Sequence, residues 1–194
     1  RRLFFMKRIP CWGEGGLPKG APSRLLKKAY RVAIDTLGCK VNQYDTALLK
    51  EYFKDSAFQC VSSDETADVY VINSCTVTEK ADQETRYLLR RFRQKNPKAI
   101  IVVTGCYAQT RPKELSQLEG VHYVIGNTLK TTLVELIKNC GREKISGAQV
   151  YVKNSFKNAS RLTQIPVHAE TQKPRFFFKI QDGCDDFCTF CIIP

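Results

Sequence analysis

Four short runs rich in β-branched residues, 31–36 (RVAIDT), 69–73 (VYVIN), 99–104 (AIIVVT) and 121–125, recur along the chain with helix-like stretches between them. That alternation constrains the fold more than any other feature. Strand followed by helix, repeated several times, closes as a parallel sheet covered by helices. The third run is apolar almost throughout, as a strand covered on both faces must be. Between the runs, Tyr44, Leu48 and Tyr52 are spaced for one face of a helix over 44–53. Residues 79–94 are predicted helical, with Arg86, Arg90, Arg91 and Arg93 on the polar face and Pro97 as the stop. Leu129, Leu133, Leu136 and Ile137 keep helical spacing ahead of Gly141, a predicted cap. The pattern predicts an α/β domain over residues 30–140.

The flanks read differently. Residues 1–29 hold eight Lys/Arg and one acid, Glu14, so they carry seven of the twelve net positive charges. They contain Gly13, Gly15, Gly16, Pro18, Gly20 and Pro22, and no apolar run long enough for a secretory signal or a membrane span. This is the composition of a basic flexible extension. An organelle transit peptide is also Arg-rich and acid-poor; the absence of an initial methionine counts against it, and Met6 is an alternative start. The remaining charge, about +5, still suits a polyanionic partner such as RNA. Residues 141–174, interrupted by Pro166, read as a linker with one strand at 149–153, and 175–180 (RFFFKI) as a fresh strand.

Nine cysteines without a secretory signal point to metal or redox chemistry in a reducing compartment rather than to disulfides. Cys184, Cys188 and Cys191 stand as C-x3-C-x2-C directly after the last predicted strand. Three thiolates hold a soft metal centre and leave one coordination position free. A purely structural site would close with a fourth ligand, and the nearest histidine upstream is His168. Cys39, Cys75 and Cys106 form a second set. Each follows a predicted strand closely, and the carboxyl ends of parallel strands share one edge, so cysteines far apart in sequence are expected to meet there. Gly38 and Gly105 precede two of them and allow sharp turns. Cys60 is assigned to the core, Cys11 and Cys140 are treated as incidental, and His122 and His168 as structural or surface groups.

The motifs Thr36-Leu37-Gly38-Cys39-Lys40-Val41-Asn42-Gln43-Tyr44-Asp45-Thr46, Asn73-Ser74-Cys75-Thr76-Val77-Thr78, Thr104-Gly105-Cys106-Tyr107-Ala108-Gln109 and the segment 183–194, in this order, resemble the methylthiotransferase family of radical S-adenosylmethionine (SAM) enzymes. The resemblance implies a flavodoxin-like, doubly wound N-terminal domain, followed over 175–194 by the start of a partial β/α barrel. By the same reading the barrel is truncated at Pro194 and the fragment alone is inactive. It also implies two [4Fe-4S] clusters. Cys184, Cys188 and Cys191 look like ligands of the radical-SAM cluster, whose fourth iron would bind SAM and yield a 5′-deoxyadenosyl radical. Cys39, Cys75 and Cys106 look like ligands of an auxiliary cluster that donates or relays sulfur. Phe190 is placed against the adenine of SAM or as a shield for the cluster, and Phe187 as a shield. Asn42 contacts substrate or cluster, or stabilises its turn.

Members of the family act on adenosine 37 of tRNA or on a ribosomal protein. The Gly38-Cys39-Lys40-Val41-Asn42-Gln43-Tyr44 form looks most like the branch that converts N6-threonylcarbamoyladenosine to its 2-methylthio derivative, ahead of the isopentenyladenosine and ribosomal-protein branches. The implied partners are tRNA, an electron donor such as flavodoxin or ferredoxin, and a sulfur source, in the cytoplasm and without a membrane. A reading from another class is a non-catalytic metal-binding module that recognises RNA through its basic surface. Formation of 5′-deoxyadenosine from SAM separates the two.

Overall fold

The computed structural model describes residues 29–54, 57–140, 147–152, 179–181, 183–184 and 186–191. The strands are β1 (Tyr30–Thr36), β2 (Phe58–Val61), β3 (Val69–Ser74), β4 (Ile100–Gly105), β5 (Tyr123–Ile125) and β6 (Gln149–Tyr151). The helices are α1 (Lys40–Tyr52), α2 (Glu79–Lys95), α3 (Cys106–Thr110), α4 (Pro112–Ser116) and α5 (Leu133–Cys140), with a 3₁₀ segment at Asn127–Thr132. All strand pairings are parallel, in the order β2-β1-β3-β4-β5-β6. The alternation predicts a parallel α/β sheet, and the order is the doubly wound, flavodoxin-like one that the family resemblance implies.

Two-residue periodicity splits the core into two layers. Tyr70 and Ile72 of β3 and Ile101 and Val103 of β4 pack with Leu88, Leu89 and Phe92 of α2 and with Leu115 of α4. Val69, Val71, Ile100 and Val102 face the other way, against Phe53 at the end of α1 and Leu133, Val134 and Ile137 of α5. Tyr70 and Phe92 stack with ring centroids 4.2 Å apart. Both central strands are therefore covered on both faces, which is why they read as unbroken apolar runs.

Four expectations are corrected. The edge strand β2 is absent from the sequence reading, because among its four residues only Phe58 is buried. Cys60, on that edge, is exposed rather than in the core. Helix α1 starts at Lys40, immediately after Cys39, and its buried side is Asn42, Thr46 and Leu49 rather than the Tyr44, Leu48 and Tyr52 stripe. The strand expected inside the linker pairs with β5 in register Tyr123↔Gln149 to Ile125↔Tyr151, so the sheet continues past residue 140. The capping role of Gly141, Cys11, His168 and residues 175–178 of the strand expected at 175–180 lie outside the described residues; Lys179 and Ile180 are described and are not part of a strand. No described helix is long and apolar enough to cross a membrane.

His122 helps to hold β4 beside β5. Its Nδ1 accepts the Ile101 N–H at 3.1 Å, so that nitrogen must be unprotonated. Burial lowers the imidazole below its ordinary value of 6.5; the Gly120 backbone opposes this and Arg93 adds to it. A base whose folded value is depressed stabilises the fold fully above its unfolded value, and that stability is lost as pH falls below about 6.5. The midpoint of urea unfolding is therefore expected to fall between pH 7.5 and 5.5. His122→Ala should lower the unfolding free energy by about 1 kcal/mol at pH 7.5, through an unpaired amide, and flatten the pH dependence. An unchanged pH profile in the variant would contradict this role.

Candidate metal centre at the sheet edge

In the doubly wound order the chain leaves β1 towards one face and β3 towards the other, and a crevice opens between the two carboxyl ends. Cys39 and Cys75 lie on its two sides. Cys39 is the N-cap residue of α1, in extended conformation, and its side chain makes no capping hydrogen bond. Its carbonyl accepts the Gln43 N–H at 3.2 Å, so the backbone starts the helix and the exposed thiol is left for other use. Cys75 follows β3 directly and is 4% exposed. Cys106 opens α3 at the end of β4 and is half-buried.

Glycines let these turns close on one another. At Gly38, φ is +90°, and a Cβ there would lie 2.3 Å from Cys75 Cβ and 2.5 Å from its Sγ. The residue before Cys39 thus packs directly on Cys75. At Gly105, φ is +96°, and a Cβ would lie 2.1 Å from the Ser74 carbonyl oxygen, so the residue before Cys106 packs on the residue before Cys75. Burial pushes the Cys106 thiol up; Cys75 and Cys39 push in the same direction, while Lys130 and a hydrogen bond from Asn127 oppose them. Cys39 and Cys75 are thus near enough to Cys106 to act on its thiol.

Three thiols are a donor set suited to an iron–sulfur cluster. Among the described residues no three His, Cys, Asp or Glu side chains are grouped to hold one metal ion. An iron–sulfur cluster takes one thiolate on each of several irons, and so spreads its ligands more widely than one ion does. Around the same strand ends, Asn73 Oδ1, Thr76 Oγ1, Thr104 Oγ1, Asn127 Oδ1 and Thr128 Oγ1 are buried without a hydrogen-bond partner. These atoms leave polar capacity beside the cysteines, as a site built around a bound group would.

Asn42 builds this crevice. Its Nδ2 donates to the Leu37 carbonyl at 2.8 Å and the Ser74 carbonyl at 3.0 Å, joining the turn before Cys39 to the residue before Cys75. Its own carbonyl accepts from Asn73 Nδ2 at 2.9 Å, and Asn73 Nδ2 also donates to Thr46 Oγ1 at 3.0 Å. The side-chain amide is committed to backbone on both sides of the crevice. Sequence reasoning missed a second group, Asp45, whose carboxylate takes Lys130 at 2.6 Å and Lys179 at 3.1 Å. Asp45 was visible inside the first motif, but its partners are remote in sequence and carry no periodic signal.

The C-x3-C-x2-C loop is more open. Cys188 and Cys191 are joined by a turn in which the Cys191 N–H donates to the Cys188 carbonyl at 3.0 Å. The Cys184 thiol donates to Asp186 Oδ2 at 3.4 Å. Phe187 adopts φ +49°, and Phe187 and Phe190 are 73% and 91% exposed. Two exposed phenyl rings thus flank Cys188, which is exposed like Cys191, while Cys184 is half-buried.

A family model described as "Uncharacterized protein family UPF0004" matches residues 31–126, the span that holds the first three cysteines. Over 167 residues the chain is 41% identical to the threonylcarbamoyladenosine tRNA methylthiotransferase MtaB of Aquifex aeolicus, covering 84% of this chain and 39% of that protein. The protein of the same name in Bacillus subtilis is 43% identical over 165 residues, 84% of this chain and 36% of the relative. The similarity to methylthiotransferases thus runs over 84% of this chain, and the family model covers the sheet that carries Cys39, Cys75 and Cys106. A further methylthiotransferase relative, the tRNA-2-methylthio-N(6)-dimethylallyladenosine synthase of Wolbachia pipientis subsp. Culex pipiens, is 34% identical over 166 residues, 37% of its length. The chain spans less than two fifths of the length of these relatives.

The arginine face of α2 is largely engaged within the domain itself. Arg86 pairs with Glu114, Arg91 with Asp64, and Arg93 with Glu119. Lys95 Nζ donates to the Ser63 carbonyl at 2.9 Å. These contacts dock α2 onto neighbouring loops and reduce what it can offer to a polyanion.

Proposed function

We propose that the chain acts as the N-terminal part of a radical-SAM tRNA methylthiotransferase that converts N6-threonylcarbamoyladenosine at position 37 to its 2-methylthio derivative. The observation that carries this reading is the delivery of Cys39, Cys75 and Cys106 to one crevice by three turns that follow parallel strands. In this reading those cysteines hold one [4Fe-4S] cluster, and Cys184, Cys188 and Cys191 hold the second. When bound, the clusters and SAM supply the radical that opens the C–H bond and the sulfur that replaces it.

The chain's own residues supply the framing. Asn42 and Asn73 hold the Cys39 and Cys75 turns at fixed separation, so the thiols are oriented before any metal arrives. Phe190 presents an exposed ring between Cys188 and Cys191, suited to stack on the adenine of SAM, and Phe187, also exposed, would shield a cluster once bound. The proposal includes tRNA as substrate, a flavodoxin or ferredoxin as electron donor, a separate sulfur source, and work in the cytoplasm.

Mass spectrometry of tRNA nucleosides tests the substrate. Deleting the gene is expected to abolish 2-methylthio-N6-threonylcarbamoyladenosine while its unmethylthiolated precursor accumulates. Loss of the dimethylallyl derivative instead would reassign the substrate. Unchanged tRNA would overturn the proposal.

A further inference from the structure

Asp45 is the point where two parts of the chain carrying the two cysteine sets are joined. It lies on α1, one and a half turns beyond Cys39. Its Oδ2 meets Lys130 Nζ at 2.6 Å, and Lys130 belongs to the 3₁₀ segment that follows β5. Its Oδ1 meets Lys179 Nζ at 3.1 Å, and Lys179 stands five residues before Cys184. All three side chains are enclosed, at 11–12% exposure. A carboxylate that uses both oxygens on two enclosed ammonium groups gains directional hydrogen bonds as well as Coulomb attraction, and it loses both if one partner is neutralised.

We propose that Asp45 and Lys179 form a positioning latch that fixes the Cys184, Cys188 and Cys191 loop against the sheet edge carrying Cys39, Cys75 and Cys106. The proposal rests on the two-site reading above only for its purpose; the latch itself rests on the contact. Past Lys179 the described residues Ile180, Gln181, Gly183 and 186–191 are exposed, and Cys184 is half-buried. Gly183, with φ +81° and open space around its α-carbon, permits a sharp turn just beyond the latch. Lys130 has a second part in the arrangement. It shares the carboxylate with Lys179, and its charge also reaches the Cys106 thiol and favours the thiolate. Burial on its own would raise the Asp45 carboxyl, but the two ammonium groups outweigh it and hold the carboxyl below its usual range. The latch is therefore charged and closed at neutral pH. Asp45 and Lys179 act through the placement of the loop; neither is assigned contact with reacting atoms.

Hydrogen exchange on the full chain, read in peptides spanning residues 180–191, tests the latch without requiring any metal. Lys179→Gln is expected to speed exchange there by about tenfold or more and to leave peptides of β3 and β4 unchanged. Lys179→Arg should restore most of the protection, because a guanidinium still reaches a carboxylate. The double variant Asp45→Asn with Lys179→Gln should exchange no faster in this loop than the faster single variant, the mark of two residues acting through one contact. A second readout uses reconstituted protein: the magnetic interaction between the two reduced clusters should weaken in Lys179→Gln at unchanged iron content. Unaltered exchange in Lys179→Gln, or fully additive effects in the double variant, would overturn the latch whatever the metal content. Failure of the chain to bind iron would count against the two-cluster reading and leave the exchange result to decide the latch.

Discussion

Changing Cys39, Cys75 and Cys106 together to alanine is expected to reduce the iron taken up on anaerobic reconstitution from about eight atoms per chain to about four, two cubane clusters becoming one. The two thiol sets are built differently enough for such a result to be clean. Cys39 is exposed and makes no capping bond, so its loss leaves the start of α1 intact. Cys106 is half-buried, and only Cys75, at 4% exposure, fills core space. Removing its sulfur should cost about 1 kcal/mol, too little to unfold the domain. In the proposed reading the remaining four irons belong to the C-x3-C-x2-C loop, and in the full-length protein the variant is expected still to cleave SAM to 5′-deoxyadenosine while methylthiolation stops. Iron content, circular dichroism and product analysis on one preparation separate the outcomes. Loss of all iron would sink the two-site assignment. A metal-binding RNA module, the competing class, would yield no 5′-deoxyadenosine from either protein.

The parts of this architecture that were legible in the sequence are those in which burial is apolar and local. β3 and β4 declare themselves because alternate residues feed two apolar layers, and the cysteines after them inherit a shared edge from parallel pairing alone. What escaped is buried but polar, or stabilised from a distance. Asn42 and Thr46 occupy the inner side of α1, and a hydrophobicity pattern assigns such residues to solvent. Their burial is offset by hydrogen bonds to Leu37, Ser74 and Asn73, and these exist only once β1 and β3 are side by side. The arginines of α2 read only as a polar helix face, because Asp64, Glu114 and Glu119 reach them only in the fold. The same holds for Asp45 and Lys130, 85 residues apart. β2 was lost for a different reason: an edge strand of four residues with one buried side chain has too little pattern to be seen.

Gly105→Ala is expected to be the most destabilising single change in the domain, on the order of 4 kcal/mol or more. Two separable costs meet there. The backbone of Gly105, at φ +96° and ψ −166°, lies in a region that is essentially restricted to glycine, and strain of that kind costs about 1–3 kcal/mol. The added methyl would also lie 2.1 Å from the Ser74 carbonyl oxygen and 2.7 Å from the Ser74 nitrogen. Ser74 and Gly105 are paired in the β3–β4 register, so relief requires two central strands to part at the carboxyl edge. Gly38→Ala differs: its Cβ would strike the Cys75 side chain rather than backbone, and the disturbance should fall more on metal loading than on folding. Gly147 provides the control, since it has φ +81° with nothing within 4 Å, and its alanine variant should lose only about 1 kcal/mol to strain. Urea unfolding of the two alanine variants therefore isolates the strand contact from the torsional cost. A midpoint for Gly105→Ala matching that of Gly147→Ala would mean that β3 and β4 do not approach as closely at the cysteine turns as the clustered-thiol site requires.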